Sequence, residues 1–118
     1  MKTISFFLLF TLSIASCEYK DSSANAIEPA CTPELVVSFS KEVHPIFNAK
    51  CAIPTCHVHT NQSLPFLTNF KEIKPNTSDI ISQLSNRAMP PARSAGGLLT
   101  AHEKSIINCW VTQGSLDN

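Results

Sequence analysis

Cys51-Ala52-Ile53-Pro54-Thr55-Cys56-His57 decides how this chain is read. Two cysteines followed at once by a histidine form the arrangement by which a c-type haem is attached. The thiols add to the two haem vinyl groups. The adjacent histidine is then brought under the iron as proximal ligand. The usual spacer between the cysteines is two residues, whereas four stand here, with Pro54 among them. His59 leaves a second chemistry open: a zinc site completed with Cys51, Cys56 and His57. Its spacing does not match the usual pair of separated ligand couples.

Working outward toward the C-terminus, the iron needs a second axial ligand, and methionine there raises the reduction potential. Met89-Pro90-Pro91 supplies one. The residue before a proline is pushed to an extended conformation, and neither proline continues a helix. Met89 is therefore held in a stiff loop, in a setting (Arg87 to Arg93) unlike that of a packing thioether. His44 and His102 are the alternative distal ligands. Arg87 and Arg93 flank the loop and are candidates to pair with haem propionates or to be solvated.

Around these residues the pattern is helical, with no convincing strand. Phe39, Val43, Ile46 and Phe47 share one helical face, with Ser38 or Ser40 as cap and Pro45 near the first turn. Thr68 to Ile73 reads as one short helical turn. Asn76 or Thr77 caps a helix carrying Ile80, Ile81 and Leu84. Thr100-Ala101-His102-Glu103 is a capping box. It opens a last helix bearing Ile106, Ile107, Trp110 and Val111, with Gly114 placed to end it. His44 and His102 read as surface residues on these helices. Ile46, Phe47, Phe66, Leu67, Phe70, Ile80, Ile81, Leu84, Leu98, Leu99, Ile107 and Trp110 are the expected pocket and core.

Toward the N-terminus the character changes. Lys2 and the apolar run Ile4 to Ile14, with three Phe and three Leu, read as a signal peptide over residues 1–16. Ile14-Ala15-Ser16 leads into Cys17, which resembles the lipobox of bacterial lipoproteins, where the cysteine is acylated. An ordinary secretory signal with Cys17 incidental is the plainer alternative. Removal of the signal leaves Met89 as the only methionine. Residues 17–30 are polar and small, a flexible tether. Residues 31–118 are the expected domain, small enough to need a disulfide, metal or cofactor.

The 118 residues carry nine basic and nine acidic side chains. That balance gives no footprint for nucleic acid. No apolar run reaches the roughly 18 residues of a bilayer span, which excludes a polytopic membrane protein. There is no Ser/His/Asp set, phosphate-cradling glycine loop or carboxylate pair pointing to hydrolysis or transfer, and the expectation is that the chain is not an enzyme.

Ser38 to Phe47, Cys51-Ala52, Cys56-His57, Leu67 to Phe70, Met89-Pro90-Pro91, Leu99 to Glu103 and Trp110 to Gly114 follow in an order that resembles the small monohaem cytochrome c domains of exported proteins of Bacteroidetes and Planctomycetes. The departures are the four-residue spacer and Ser115, where that family often has alanine. The resemblance implies an all-α, cytochrome c-like domain of three to four helices around one covalently bound haem c. It implies thioether bonds at Cys51 and Cys56, with His57 as proximal and Met89 as distal ligand. The first and last helices would cross near Trp110. Cys31 and Cys109 then remain, and could pair in an oxidising compartment if those helices pack together; a free buried thiol at Cys109 is the alternative.

The resulting expectation is an electron carrier between redox partner proteins, lipid-anchored at Cys17 on the periplasmic side of a bacterial membrane. A haem-free exported binding module, held by disulfides or zinc, is the competing reading.

Overall fold

Ser38 starts the first helix of the computed structural model, which describes residues 31–59 and 63–118. The signal peptide, Cys17 and the tether lie outside those residues. The Ser38 hydroxyl accepts from the Lys41 N–H at 3.3 Å, while the Glu42 carboxylate reaches back to the Ser38 N–H at 2.8 Å. Ser38, rather than Ser40, is thus the cap, and two orphan donors are satisfied reciprocally. The first turn, Phe39–Val43, is a wide π-turn that runs into α1, His44–Lys50. The His44 N–H bonds the Phe39 carbonyl, five residues back. Pro45 sits at this junction instead of in the first turn of the whole stretch. It has no N–H to offer the preceding turn, and the wide turn is where the bonding ladder adjusts.

Asn69 caps α2, Phe70–Ile73, by accepting from the Glu72 N–H. A 3₁₀ turn, Lys74–Asn76, joins it to α3, Thr77–Ser85. The cap expected at Asn76 or Thr77 is therefore not made, because the chain is already helical there. Both side chains donate backward instead, Asn76 Nδ2 to the Glu72 carbonyl and Thr77 Oγ1 to the Lys74 carbonyl. Arg87, at φ 56°, closes α3 in the left-handed conformation. The N–H groups of Arg87 and Ala88 return to Leu84 and Gln83, the bonding of a Schellman motif.

The last helix, α4, spans Ala101–Thr112 and opens on the expected capping box. Thr100 Oγ1 accepts from the Glu103 N–H at 3.1 Å, and Glu103 accepts from the Thr100 N–H at 2.7 Å. Gly114, at φ 95°, ends it, with Gly114 and Ser115 N–H groups bonded to Val111 and Trp110. The described residues contain helices and no strand. The fold is all-α.

The core lies where the first helical stretch meets α4. Phe39 packs against Trp110 and edge-on against Phe70, with ring centroids 5.4 and 5.1 Å away. Val43, Phe47, Ile73, Ile107 and Trp110 are fully enclosed. Of the expected core, Ile46, Phe47, Leu67, Leu99, Ile107 and Trp110 are buried, and Phe70, Ile80, Ile81 and Leu84 pack partly against them. Leu98 is 59% exposed and does not belong to it.

The two ends of the domain are sewn together. Gln113 accepts from the Val37 N–H and donates to the Leu35 carbonyl, at 2.9 and 2.7 Å. Asn118 Oδ1 accepts from the Phe39 N–H at 2.7 Å. Cys31 and Cys109 form a disulfide pair, with Cα atoms 5.2 Å apart. The paired alternative for these cysteines is the one realised.

Candidate haem-binding cleft

Cys51 terminates α1, its N–H bonded to the Phe47 carbonyl at 2.9 Å. Beyond it the spacer folds into a compact loop. The Cys56 N–H bonds the Ile53 carbonyl at 3.0 Å, and the His57 N–H returns to the Cys51 carbonyl at 3.2 Å. Thr55, at φ 69°, provides the left-handed residue that lets four intervening residues close on themselves. Cys51, Cys56 and His57 all line the same cleft.

The cleft measures about 220 Å³, somewhat below the roughly 300–1,000 Å³ range of ligand clefts. Cys51, Cys56, His57, Met89, Pro90 and Pro91 all line it. Phe47, Leu64, Leu67, Ile80 and Leu84 supply the walls, and the exposed lining is almost wholly apolar. A cleft with a mostly apolar lining suits a mostly apolar ligand. The four residues singled out by the sequence are thus brought together.

His57 has a defined tautomer. Its Nδ1 lies 2.8 Å from the Pro65 carbonyl oxygen. A carbonyl only accepts, so Nδ1 carries the proton and Nε2 keeps its lone pair for a metal. Donation of the second ring N–H to a backbone carbonyl is how ligating histidines are oriented. Pro65 is the site residue that sequence reasoning missed. Its contribution is a backbone atom, and no side-chain motif announces it.

Burial pushes the Cys51 thiol up to about 12, helped by the nearby Cys56 and Glu103. Cys51 is thus a protonated thiol at neutral pH, not an activated thiolate nucleophile.

The other histidines lie elsewhere. His59 packs at a tilt against Phe66, with ring centroids 4.2 Å apart, and donates through Nε2 to Glu72 Oε1 at 2.9 Å. His44 is half-buried, not a surface residue: it stacks on Phe39, and its Nε2 donates to the Thr68 carbonyl at 2.9 Å. His102 is exposed and borders a separate small cavity beside Cys31 and Cys109. Neither His44 nor His102 lines the cleft with Met89. Among the described residues, no three His, Cys, Asp or Glu side chains converge on one point.

The polar groups at the cleft are Lys50, Asn76, Asp79, Gln83 and Ser94, while Arg87 and Arg93 are exposed outside its lining. The donor set therefore fits a haem held by two thioethers and two axial side chains. No family model matches the chain, and neither a curated protein nor a solved structure matches it.

Proposed function

We propose that this chain is an exported, lipid-anchored c-type cytochrome carrying single electrons between redox partner proteins, with one haem c per chain. The observation that carries the proposal is a mostly apolar cleft lined by Cys51, Cys56, His57 and Met89 together. The His57 Nδ1–H bond to Pro65 adds to it, since it leaves Nε2 as the ligating atom.

Bound there, haem would supply an iron that alternates between ferrous and ferric states. The residues of the chain do the rest. Cys51 and Cys56 would hold the ring through thioether bonds, each formed by adding S–H across a vinyl group with no leaving group. His57 Nε2 and the Met89 thioether would hold the iron. Phe47, Leu67, Ile80 and Leu84 would shield the bound group from water, and methionine ligation goes with a raised potential. Near-neutral charge predicts an association with partners that depends little on salt. The Cys17 lipid and the periplasmic location are proposed from the sequence.

Potentiometric titration of the purified holoprotein tests the assignment. A single reversible one-electron wave, with no carbon monoxide adduct on the reduced protein, is the expected outcome. Rapid carbon monoxide binding would mean an open coordination position and a different function.

A further inference from the structure

We infer that Lys50 and Gly96 form a clamp that fixes the Met89 loop against the end of α1. Lys50 is the last residue of α1, directly before Cys51. Its Nζ donates to the Gly96 carbonyl at 2.9 Å, across 46 residues of sequence. The backbones also touch here. A Cβ added to Gly96 would run into the Ala49 carbonyl oxygen and lie 3.1 Å from the Lys50 Cα. Only glycine lets the two backbones approach this closely.

From Gly96 the fixation passes back to Met89 through two short bonded turns. The Gly97 N–H bonds the Ser94 carbonyl at 2.9 Å, and the Ser94 N–H bonds the Pro91 carbonyl at 2.8 Å. Pro90 and Pro91 remove the remaining backbone freedom, and Pro90 is buried. Lys50, the residue before Cys51, is thereby joined to the loop that carries Met89. Met89 itself is 37% exposed and has little packing of its own to hold it. Lys50 and Gly96 are accordingly positioning residues: they make no bond to the iron, but they set how firmly Met89 is kept at it. This consequence rests on the proposed role of Met89, whereas the clamp itself does not.

The experiment compares wild type with Lys50→Met, Lys50→Arg and Gly96→Ala, each expressed as the exported chain with a haem-attachment system. Amide hydrogen exchange reads the clamp. Loss of the charged donor or of the close approach should speed exchange at Ser94 and Gly97 roughly tenfold, with α4 amides unchanged. The weak far-red absorption of thioether-bound ferric haem reads the consequence. In Lys50→Met and Gly96→Ala it should vanish at a lower urea concentration than helical circular dichroism, and Lys50→Arg should restore wild-type behaviour in both measurements. Unchanged exchange at Ser94 and Gly97, or equal acceleration throughout α4, would overturn the clamp. A far-red band lost together with the helices in every variant would overturn its role in holding Met89. Haem content of the denatured wild type is scored separately: a colourless protein would sink the cofactor assignment, while exchange still decides the clamp.

Discussion

Met89 brings a thioether to the cleft that His57 also lines, and the Pro65 carbonyl orients that histidine through Nδ1. Replacement by alanine should remove the far-red band while leaving haem attached through Cys51 and Cys56. The reduced variant should then either bind carbon monoxide or show a lower potential because another strong ligand has filled the place. A variant with the wild-type spectrum and potential would exclude Met89 as ligand. At this scale the sequence was largely readable. Cys51, Cys56, His57 and Met89 carry chemistry in their side chains, and the prolines after Met89 advertise a rigid loop. Arg87 and Arg93 are exposed, one of the two alternatives read from the sequence, and Arg87 also forms a left-handed helix ending, which sequence rarely betrays unless glycine is used. The reading of His44 as a surface residue missed for a physical reason. His44 is drawn inward by Phe39 and the Thr68 carbonyl, both supplied by tertiary packing. Lys50 is an ordinary lysine until Gly96 is seen beside it.

Among the elements, α2 is one turn long and depends on what holds its ends. Glu72 does much of this: its carboxylate accepts from the Thr68 hydroxyl and N–H at 2.7 and 2.9 Å and pairs with His59. The Thr68 hydroxyl bond, aided by the Thr68 N–H, Asn69 and His59, outweighs desolvation and holds the Glu72 carboxyl below its ordinary value of 4.5. A lowered folded-state value means that the unfolded chain takes up the proton first. The stabilisation is therefore complete above the ordinary carboxylate range and is lost as the pH falls through and below it. Urea midpoints of wild type and Glu72→Gln should differ at pH 7 and converge near pH 3; an equal gap at both would contradict this role. Helix faces and the Thr100–Glu103 capping box could be read directly, because the signals are periodic or local. The π-turn at Phe39–Val43 could not, since it reflects how Pro45 is accommodated within a helix already under way. The exposure of Leu98 was equally hidden, because a loop residue has no period to show which way it faces.

At the scale of the whole molecule, fewer than ninety residues must enclose an apolar cleft, and closure of the two ends compensates for the small core. The Cys31–Cys109 pair spans 78 residues of sequence, and a cross-link over such a loop is worth about 2–4 kcal/mol. Cys31→Ser should lower the unfolding free energy by an amount in that range, read from the shift of the urea midpoint, without altering the haem spectrum. A spectrum that changes as much as the midpoint would mean that the disulfide shapes the cleft itself. That these two cysteines pair followed only once the first and last helices were expected to cross, because pairing is a matter of three-dimensional geometry. The cleft was foreshadowed by its four chemical residues and by Phe47, Leu67, Ile80 and Leu84 among the expected pocket residues, but not by Leu64 or Pro65. The account as a whole stands on covalent haem at Cys51 and Cys56. The most direct test is the pyridine haemochrome spectrum of the denatured protein, made in a host competent for haem attachment and extracted with acidified acetone. The account predicts haem that resists extraction and the spectrum of a ring with both vinyl groups saturated, lost when Cys51 and Cys56 are both replaced by serine. A colourless protein, or haem that extracts freely, would contradict it.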